Sequence, residues 1–400
     1  MFDDTRKAWW DRVTQRCVSL SFVALLALPL LDFRFGFDKT PPPVENRALA
    51  TAPNWPTTAG EWRALPSALT AYWSDNFGMR KLLVRAHARL RYALGDSPVP
   101  NVVLGDKHWA FYVGDEAVAQ FRGLHTLSAP ELAAWTRALT ARKNWVEANG
   151  GHYFFVLAPN KESIYPELYP SKFSRVGPSL ADGLIAHLRS HSDVNIIDLR
   201  PALQAAKGSG QLYFATDTHW NDRGAYVAYA AIMTELKRIL PDLQVRARDS
   251  FRPQAAPPFC GDLSAMMGLQ TLTEPMTVFV PTPPLYAKPI DAGYYRPYGT
   301  ARYEILQTPE RSRTAVVFHD SLFLAPEDRD PRRTDPCFVR TSPFKLSQVF
   351  SDSFSRTVLS WHLGGGFSQE LLQRERPSVV VQEVIERHLL YGPQGDIPAL

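Results

Sequence analysis

The stretch Thr216-Asp217-Thr218-His219-Trp220-Asn221 places a carboxylate and an imidazole two residues apart. It lies between an apolar, strand-like run and Ala225 to Leu240, where apolar residues recur at helical spacing. A strand, a short polar loop and a helix in that order suit an α/β sheet, whose functional groups collect at the carboxyl ends of the strands. Outward from this loop the same alternation continues. Tyr153 to Leu157, Val194 to Leu199, Ala315 to Phe318, Thr357 to Trp361 and Val379 to Val381 read as strands. Continuous apolar runs of this kind belong to parallel strands buried on both faces. Helices are expected at Ala129 to Asn149, after the capped start at Ser128 to Glu131, and at Ser179 to Ser190. Asn101 to Leu104 and His108 to Tyr112 suit paired short strands around the Gly105-Asp106 turn. The fold class expected is α/β, a parallel sheet flanked by helices.

About a hundred residues beyond the loop, Thr314 to Phe318 runs into His319-Asp320-Ser321. A serine hydroxyl is a weak nucleophile that needs a base, and the base needs an orienting acid. Asp217 and His219 can supply both from one loop, the acid holding Nδ1 and leaving Nε2 for Ser321. Amides following Ser321 would help form an oxyanion hole if a helix begins there. Either motif alone has a plainer reading, as a structural turn or a helix cap. His152, His319, His362 and His388 compete as bases, and His362 is kept as a lining residue of the cleft. Asp217, His219 and His319 could be read as metal ligands, but they lack a diagnostic spacing, so no metal and no cofactor are expected.

The N-terminus carries Arg6, Lys7, Arg12 and Arg16 with Trp9 and Trp10, then an uncharged run from Val18 to Leu31. A basic flank before an apolar segment sends the following chain outward across a membrane. The expected division is a cytoplasmic basic segment at 1–16, a signal anchor at 17–33, a linker and helical segment at 34–100, and a catalytic domain at 101–400 with an insertion at about 241–310. Within the third of these a helical pattern runs from Trp73 to Leu94, with Leu83, Ala86, Leu90 and Leu94 recurring at helical spacing among Arg80, Lys81, Arg85 and Arg89. A solvated basic face and contact with anionic lipid are both open there. A net charge of +4 without a dense Lys/Arg stripe gives no argument for nucleic acid. Cys260 and Cys337 fit no metal spacing; in an exported chain they could pair, or remain free thiols.

Several stretches together carry a family resemblance: Glu45 to Leu49, Asp75 to Arg80, Asn101 to Gly105 with Trp109, Ala158 to Pro166, Thr216 to Asn221, Gly261 to Leu263, Asp320-Ser321 and Glu383 to Arg387. The chain resembles the periplasmic alginate O-acetyltransferase family, whose catalytic domain is SGNH-hydrolase-like, in its shorter membrane-anchored type. The resemblance implies Ser321 as nucleophile, His219 as base and Asp217 as orienting acid. It implies a bacterial inner-membrane location with the catalytic domain facing the periplasm. It also implies a polysaccharide acceptor and a multi-spanning membrane acyltransferase that delivers the acetyl group. Asn160 and Lys161, after the first long strand, suit oxyanion or substrate contacts or a turn. Trp220 suits stacking on a sugar or packing behind His219. Glu383 and Arg387, four apart, suit an ion pair. The activity expected is acetyl transfer to exopolysaccharide hydroxyls through an acetyl-serine. The alternatives are a carbohydrate acetyl-esterase of the same fold and a non-catalytic subunit of a polysaccharide assembly or export complex.

Overall fold

The computed structural model describes residues 2–40, 48–290, 302–323, 342–362 and 366–398. Glu45 to Arg47 and Cys337 lie outside them. The chain divides into two compact units, one holding residues 1–98 with 265–269 and the other 99–264 with 270–400.

The first unit contains α1 (Phe2–Phe35), α2 (Ala59–Asn76) and α3 (Arg80–Ala93). Within α1, Val13–Phe35 is long and apolar enough to cross a membrane. Its 23 residues rise about 35 Å at 1.5 Å each. The uncharged run from Val18 to Leu31 reaches this length because the helix extends it in both directions, back to Val13 and on through Asp32 to Phe35. The helical pattern anticipated from Trp73 to Leu94 is two helices. Met79, at φ +61°, breaks them apart. Thr58 caps α2, accepting from the Glu61 amide while Glu61 accepts from the Thr58 amide.

The second unit opens with the hairpin β1 (Val102–Leu104) and β2 (Ala110–Tyr112), followed by α4 (Ala117–Arg122), α5 (Ala129–Ala148), β3 (His152–Ala158), α6 (Lys161–Ile164), α7 (Leu180–His191), β4 (Asn195–Asp198), α8 (Arg200–Ala206) and α9 (Asp222–Ile239). Then come β5 (Phe251–Phe259), α10 (Asp262–Met266), β6 (Glu274–Pro281), β7 (Lys288–Ile290), β8 (Arg302–Gln307), β9 (Thr314–His319), α11 (Leu346–Ser351), β10 (Arg356–Trp361), α12 (Gln369–Glu375) and β11 (Val379–Ile385). Among the described residues the main sheet runs β4-β3-β11-β9-β10-β8-β7. Its first five strands are parallel, and β8 and β7 pair antiparallel at one edge. The sheet is therefore mixed, and β7 and β8 come from the stretch that the sequence reading set aside as an insertion. They escape a parallel reading because an antiparallel edge needs no helical crossover.

Strand β3 shows why the core strands are apolar throughout. Phe154, Val156 and Ala158 pack in one cluster with Ala225, Tyr229 and Ile232 of α9. Tyr153, Phe155 and Leu157 pack in another with Trp135 of α5 and Leu184 of α7. Alternate residues face opposite layers, so a sheet covered on both faces needs apolar side chains at every position. Each fully buried Phe or Leu contributes about 1.5–3 kcal/mol. The capped start of α5 forms as its sequence suggests, with the Ser128 hydroxyl and amide both donating to Glu131.

Candidate active site

Residues 212–221 form a tight reversal. Tyr213 and Trp220 bridge antiparallel, the Phe214 amide donates to the His219 carbonyl, and the Asn221 amide to the Leu212 carbonyl. Asn221 then caps α9, its Oδ1 accepting from the amides of Arg223 and Gly224. The reversal presents Asp217 and His219 on one side. His219 Nδ1 donates to Asp217 Oδ1 at 2.6 Å, and the His219 amide donates to the same oxygen at 2.8 Å. The other carboxylate oxygen accepts from the Asp262 amide at 2.8 Å. This arrangement fixes the tautomer with Nε2 bearing the lone pair, the form a general base requires.

Burial alone would push Asp217 towards the neutral acid. The His219 imidazole and the amide donors outweigh it and hold Asp217 well below the usual carboxylate range. For His219 burial disfavours the charged ring, but Asp217 and then Asp262 outweigh it, so its pKa is raised above the ordinary imidazole value. Asp262, raised by burial and by the Asp217 charge, accepts from the Thr218 amide at 2.8 Å and the Thr218 hydroxyl at 2.5 Å.

Three elements clamp this loop. Glu274 of β6 accepts from the Ala215 and Thr216 amides and the Thr216 hydroxyl. Lys161, buried after β3, donates to the carbonyls of Phe214, Ala215 and Asp217 at 3.0, 3.2 and 2.8 Å. Its ammonium also lies over the Trp109 and Phe111 rings of the β1–β2 hairpin, and burial pushes its pKa down to about 8. The third element is Gly261. A Cβ there would lie 2.2 Å from the Thr216 carbonyl oxygen and 2.6 Å from Asp217 Cβ. Glycine at this position lets the segment that carries Asp262 approach the acid. Neighbouring Cys260 is disulfide-bonded, which suits an oxidising compartment.

Ser321 follows β9 at the carboxyl edge of the sheet, where residues after β3, β10 and β11 also gather. Its amide donates to Asp320 Oδ1 at 2.8 Å. Asp320 Oδ2 accepts a short bond from His388 Nδ1, and the Asp320 amide donates to Glu383 Oε2 at 2.6 Å. Burial raises Asp320, but the His388 bond overrides it and keeps the carboxyl below its ordinary value. Glu383, buried beside that charge, is raised well above its own. Arg387, after β11, acts electrostatically on both His219 and Asp320, so one guanidinium is felt at both halves of the site. No direct hydrogen bond joins His219 to Ser321 among the described residues. The Phe323 amide donates to the Asp320 carbonyl, closing a turn, and the stretch in which a helix after Ser321 would run lies outside the described residues.

The other anticipated residues are distributed as follows. Asn160 is buried, its amide donating to Glu386 and its Oδ1 accepting from Arg387 at 3.4 Å. Lys161 is spent on the loop carbonyls described above. Trp220 is only 3% exposed and packs in the core beside Tyr213, which leaves little face for a sugar. The His362 amide pairs with the His319 carbonyl at the end of β10, and its Nε2 is buried without a hydrogen-bond partner. His319 is buried beside Phe323 and pushed down to about 4 by desolvation. Glu383 lies within strand β11, so Glu383 and Arg387 do not share a helix face. Arg387 turns instead towards Asp115 and Asn160. Asp217, His219 and Asp262 bring ligand-type atoms within 4.8 Å of one another, but the Asp217 oxygens and His219 Nδ1 are committed to the hydrogen bonds above. Sequence reasoning missed Glu274 and the role of Asp262, and it weighed His388 only as a competing base, not as the partner of Asp320. Only Gly261 to Leu263 carried a signal, as part of the family resemblance.

The chain is similar to several known proteins. Residues 102–286 match the model of the SGNH hydrolase-like domain of the acetyltransferase AlgX, a span that holds Asp217, His219 and Asp262 and ends before Ser321. The chain is 29% identical over 248 residues to a probable alginate O-acetylase AlgJ of Azotobacter vinelandii, covering 60% of this chain and 58% of that protein. The chain thus spans somewhat over half the length of this curated relative. Bacillus cereus PatB1, solved with a sulfonyl adduct, superposes with a TM-score of 0.50 at 15% identity over 74% of this chain and 96% of that one. The O-acetyltransferase domain of Pseudomonas putida AlgJ aligns at 19% identity with a TM-score of 0.46, covering 74% of this chain and 94% of that one. Over residues 102–286 the chain is thus SGNH-like, and the curated protein it resembles is named as a probable alginate O-acetylase.

Proposed function

We propose that this chain transfers acetyl groups to hydroxyls of an exopolysaccharide, with Asp217, His219 and Ser321 as its triad. The observation that carries the reading is the buried Asp217–His219 hydrogen bond, which leaves Nε2 as the free basic atom of a largely buried imidazole. In the reaction, Ser321 Oγ attacks the acetyl carbonyl while His219 Nε2 takes its proton. The tetrahedral oxyanion collapses, the bond to the donor breaks, and the leaving group takes the proton from His219. The acetyl group is then an ester on Ser321. A sugar hydroxyl next gives its proton to Nε2 and attacks that ester, and Ser321 leaves with the proton. Asn160 and Arg387 are the polar groups offered to the oxyanion and acceptor, and His362 lines the same sheet edge. Transfer rather than hydrolysis requires that the acceptor outcompete water.

In this reading α1 is a retained anchor in a bacterial inner membrane and the second unit works in the periplasm. The acetyl donor is a multi-spanning membrane acyltransferase. The names of the similar proteins support alginate as the first acceptor to test.

The test uses the full chain in detergent, an activated acetyl ester and a panel of oligosaccharides including oligomannuronate, read by mass spectrometry. Acetyl-sugar that disappears in both Ser321→Ala and His219→Ala is the expected result. Serine-dependent acetate release without transfer would favour the esterase. Transfer unchanged in the variants would remove the triad.

A further inference from the structure

Helices α2 and α3 are amphipathic, yet neither buries its apolar stripe. Trp62, Leu69 and Trp73 fall on one face of α2, which has no buried residue at all. Leu83, Leu90 and Leu94 fall on one face of α3, whose only buried residue is Ala88, and Leu94 is 73% exposed. Trp55, just before α2, is 80% exposed and meets Trp62 edge to face. A surface helix in a soluble domain turns such a stripe inward. Exposed apolar faces of this extent mark contact with something else.

The place of these helices says what that is. The junction between them is tied to the last turn of α1. Asp32 Oδ2 accepts from the Met79 amide and Oδ1 from the Asp38 amide, both at 2.5 Å, and Asp38 in turn accepts from the Leu82 amide at 3.2 Å. Backbone meets backbone here: a Cβ on Gly78 would lie 2.1 Å from the Pro29 carbonyl oxygen. The Phe33 and Trp73 rings sit 5.3 Å apart. If α1 spans a bilayer, this junction sits at its boundary. Tryptophan favours that depth, where its ring is apolar and its N–H stays wet. Helix α3 contains no acidic residue; Arg80 and Arg91 pair with Asp75 and Asp96 beyond its ends, while Lys81, Arg85 and Arg89 add a charge pattern suited to anionic headgroups.

We infer that α2 and α3 lie in the headgroup region of an anionic bilayer, on the side where α1 emerges, with Trp55, Trp62, Trp73 and the Leu83–Leu90–Leu94 stripe in contact with lipid. This rests on reading α1 as a membrane anchor.

The experiment places the full chain in nanodiscs containing phosphatidylglycerol, with acyl chains brominated either near the headgroup or near the bilayer centre. Tryptophan quenching is compared between wild type and Trp55→Phe/Trp62→Phe/Trp73→Phe, exchanges that keep the faces apolar. Shallow bromines should quench the wild type more than deep ones, and the triple variant should lose most of that excess. Equal quenching in the two proteins overturns the inference, as does concentration-dependent self-association in detergent that disappears in a Leu83→Asn/Leu90→Asn/Leu94→Asn variant, because a second copy would then cover the face. Alkaline carbonate extraction of membranes is run beside it. Release of the chain would sink the anchor reading and the inference with it. Retention with unchanged quenching would sink the inference alone.

Discussion

The two halves of the candidate site are built differently. The acid–base half is held by backbone: Glu274, Lys161 and Asp262 satisfy amides and carbonyls along residues 214–218, so Asp217 and His219 have one arrangement. The nucleophile half is held through one side chain. Asp320 accepts from the Ser321 amide on one oxygen and from His388 on the other. The first half is rigid through many side-chain bonds from Glu274, Lys161 and Asp262 to its backbone, and the second rests on Asp320, with His388 on its carboxylate and Glu383 on its amide. In the proposed triad the base must keep its tautomer through every turnover, whereas the serine must move between attacking, ester-bound and leaving positions. The difference in construction matches that difference in task.

Breaking the rigid half at its centre should have the largest effect. Asp217→Asn keeps the shape but invites the wrong imidazole tautomer, and kcat for acetyl transfer should fall about 10³- to 10⁴-fold, on the scale such an exchange costs in a serine triad. A thermal melt near wild type would separate this from unfolding.

The other half has its own breaking point. His388→Phe leaves the buried Asp320 carboxylate without its partner. Chemical denaturation should show a loss of about 3–5 kcal/mol, with kcat lowered because the Ser321 turn is released. Stability equal to wild type would show that Asp320 is held by other contacts.

Lys161 sharpens the comparison through pH. Its folded pKa, about 8, lies below the ordinary lysine value, so the unfolded chain binds the extra proton between the two. The cost of burying the charge is fully present below pH 8 and is relieved as pH rises towards 10.5, on the order of 3 kcal/mol in all. Stability of the wild type relative to Lys161→Met should therefore rise across that window. A flat difference would mean the ammonium is not buried as described.

The smallest effect concerns Asp262. Its charge helps raise His219, so Asp262→Asn should move the acid limb of the kcat/KM profile to lower pH by less than one unit, in the range expected of a nearby charge. A shift to higher pH would contradict the electrostatics.

Much of this was legible before any coordinates. The runs at β3, β9 and β11 declare buried parallel strands because both faces must be apolar. Asp217 and His219 are close in sequence, so their pairing shows in the spacing alone. What stayed hidden is contact between distant positions. Asp262 meets Thr218 across 44 residues, Glu274 meets Thr216 across 58, and His388 meets Asp320 across 68. Side-chain bonds at such separations follow no period. The same limit explains why residues 241–310 read as an insertion: Pro-rich composition hid a hairpin whose Glu274 holds the loop that carries Asp217 and His219. Glu383 and Arg387 were misjudged for the opposite reason. Their spacing of four suggested a helix face, but β11 runs through Ile385 and Arg387 meets Asp115 and Asn160 instead.

Position 261 has a consequence for inheritance. With the Thr216 carbonyl 2.2 Å from where a methyl carbon would sit, one base change that turns this glycine codon into one for alanine alters no charge, no catalytic group and no part of α1. It should nevertheless behave as a null allele, giving full-length protein and no turnover. A genetic screen that scores lost acetylation would find such lesions at a residue that performs no chemistry.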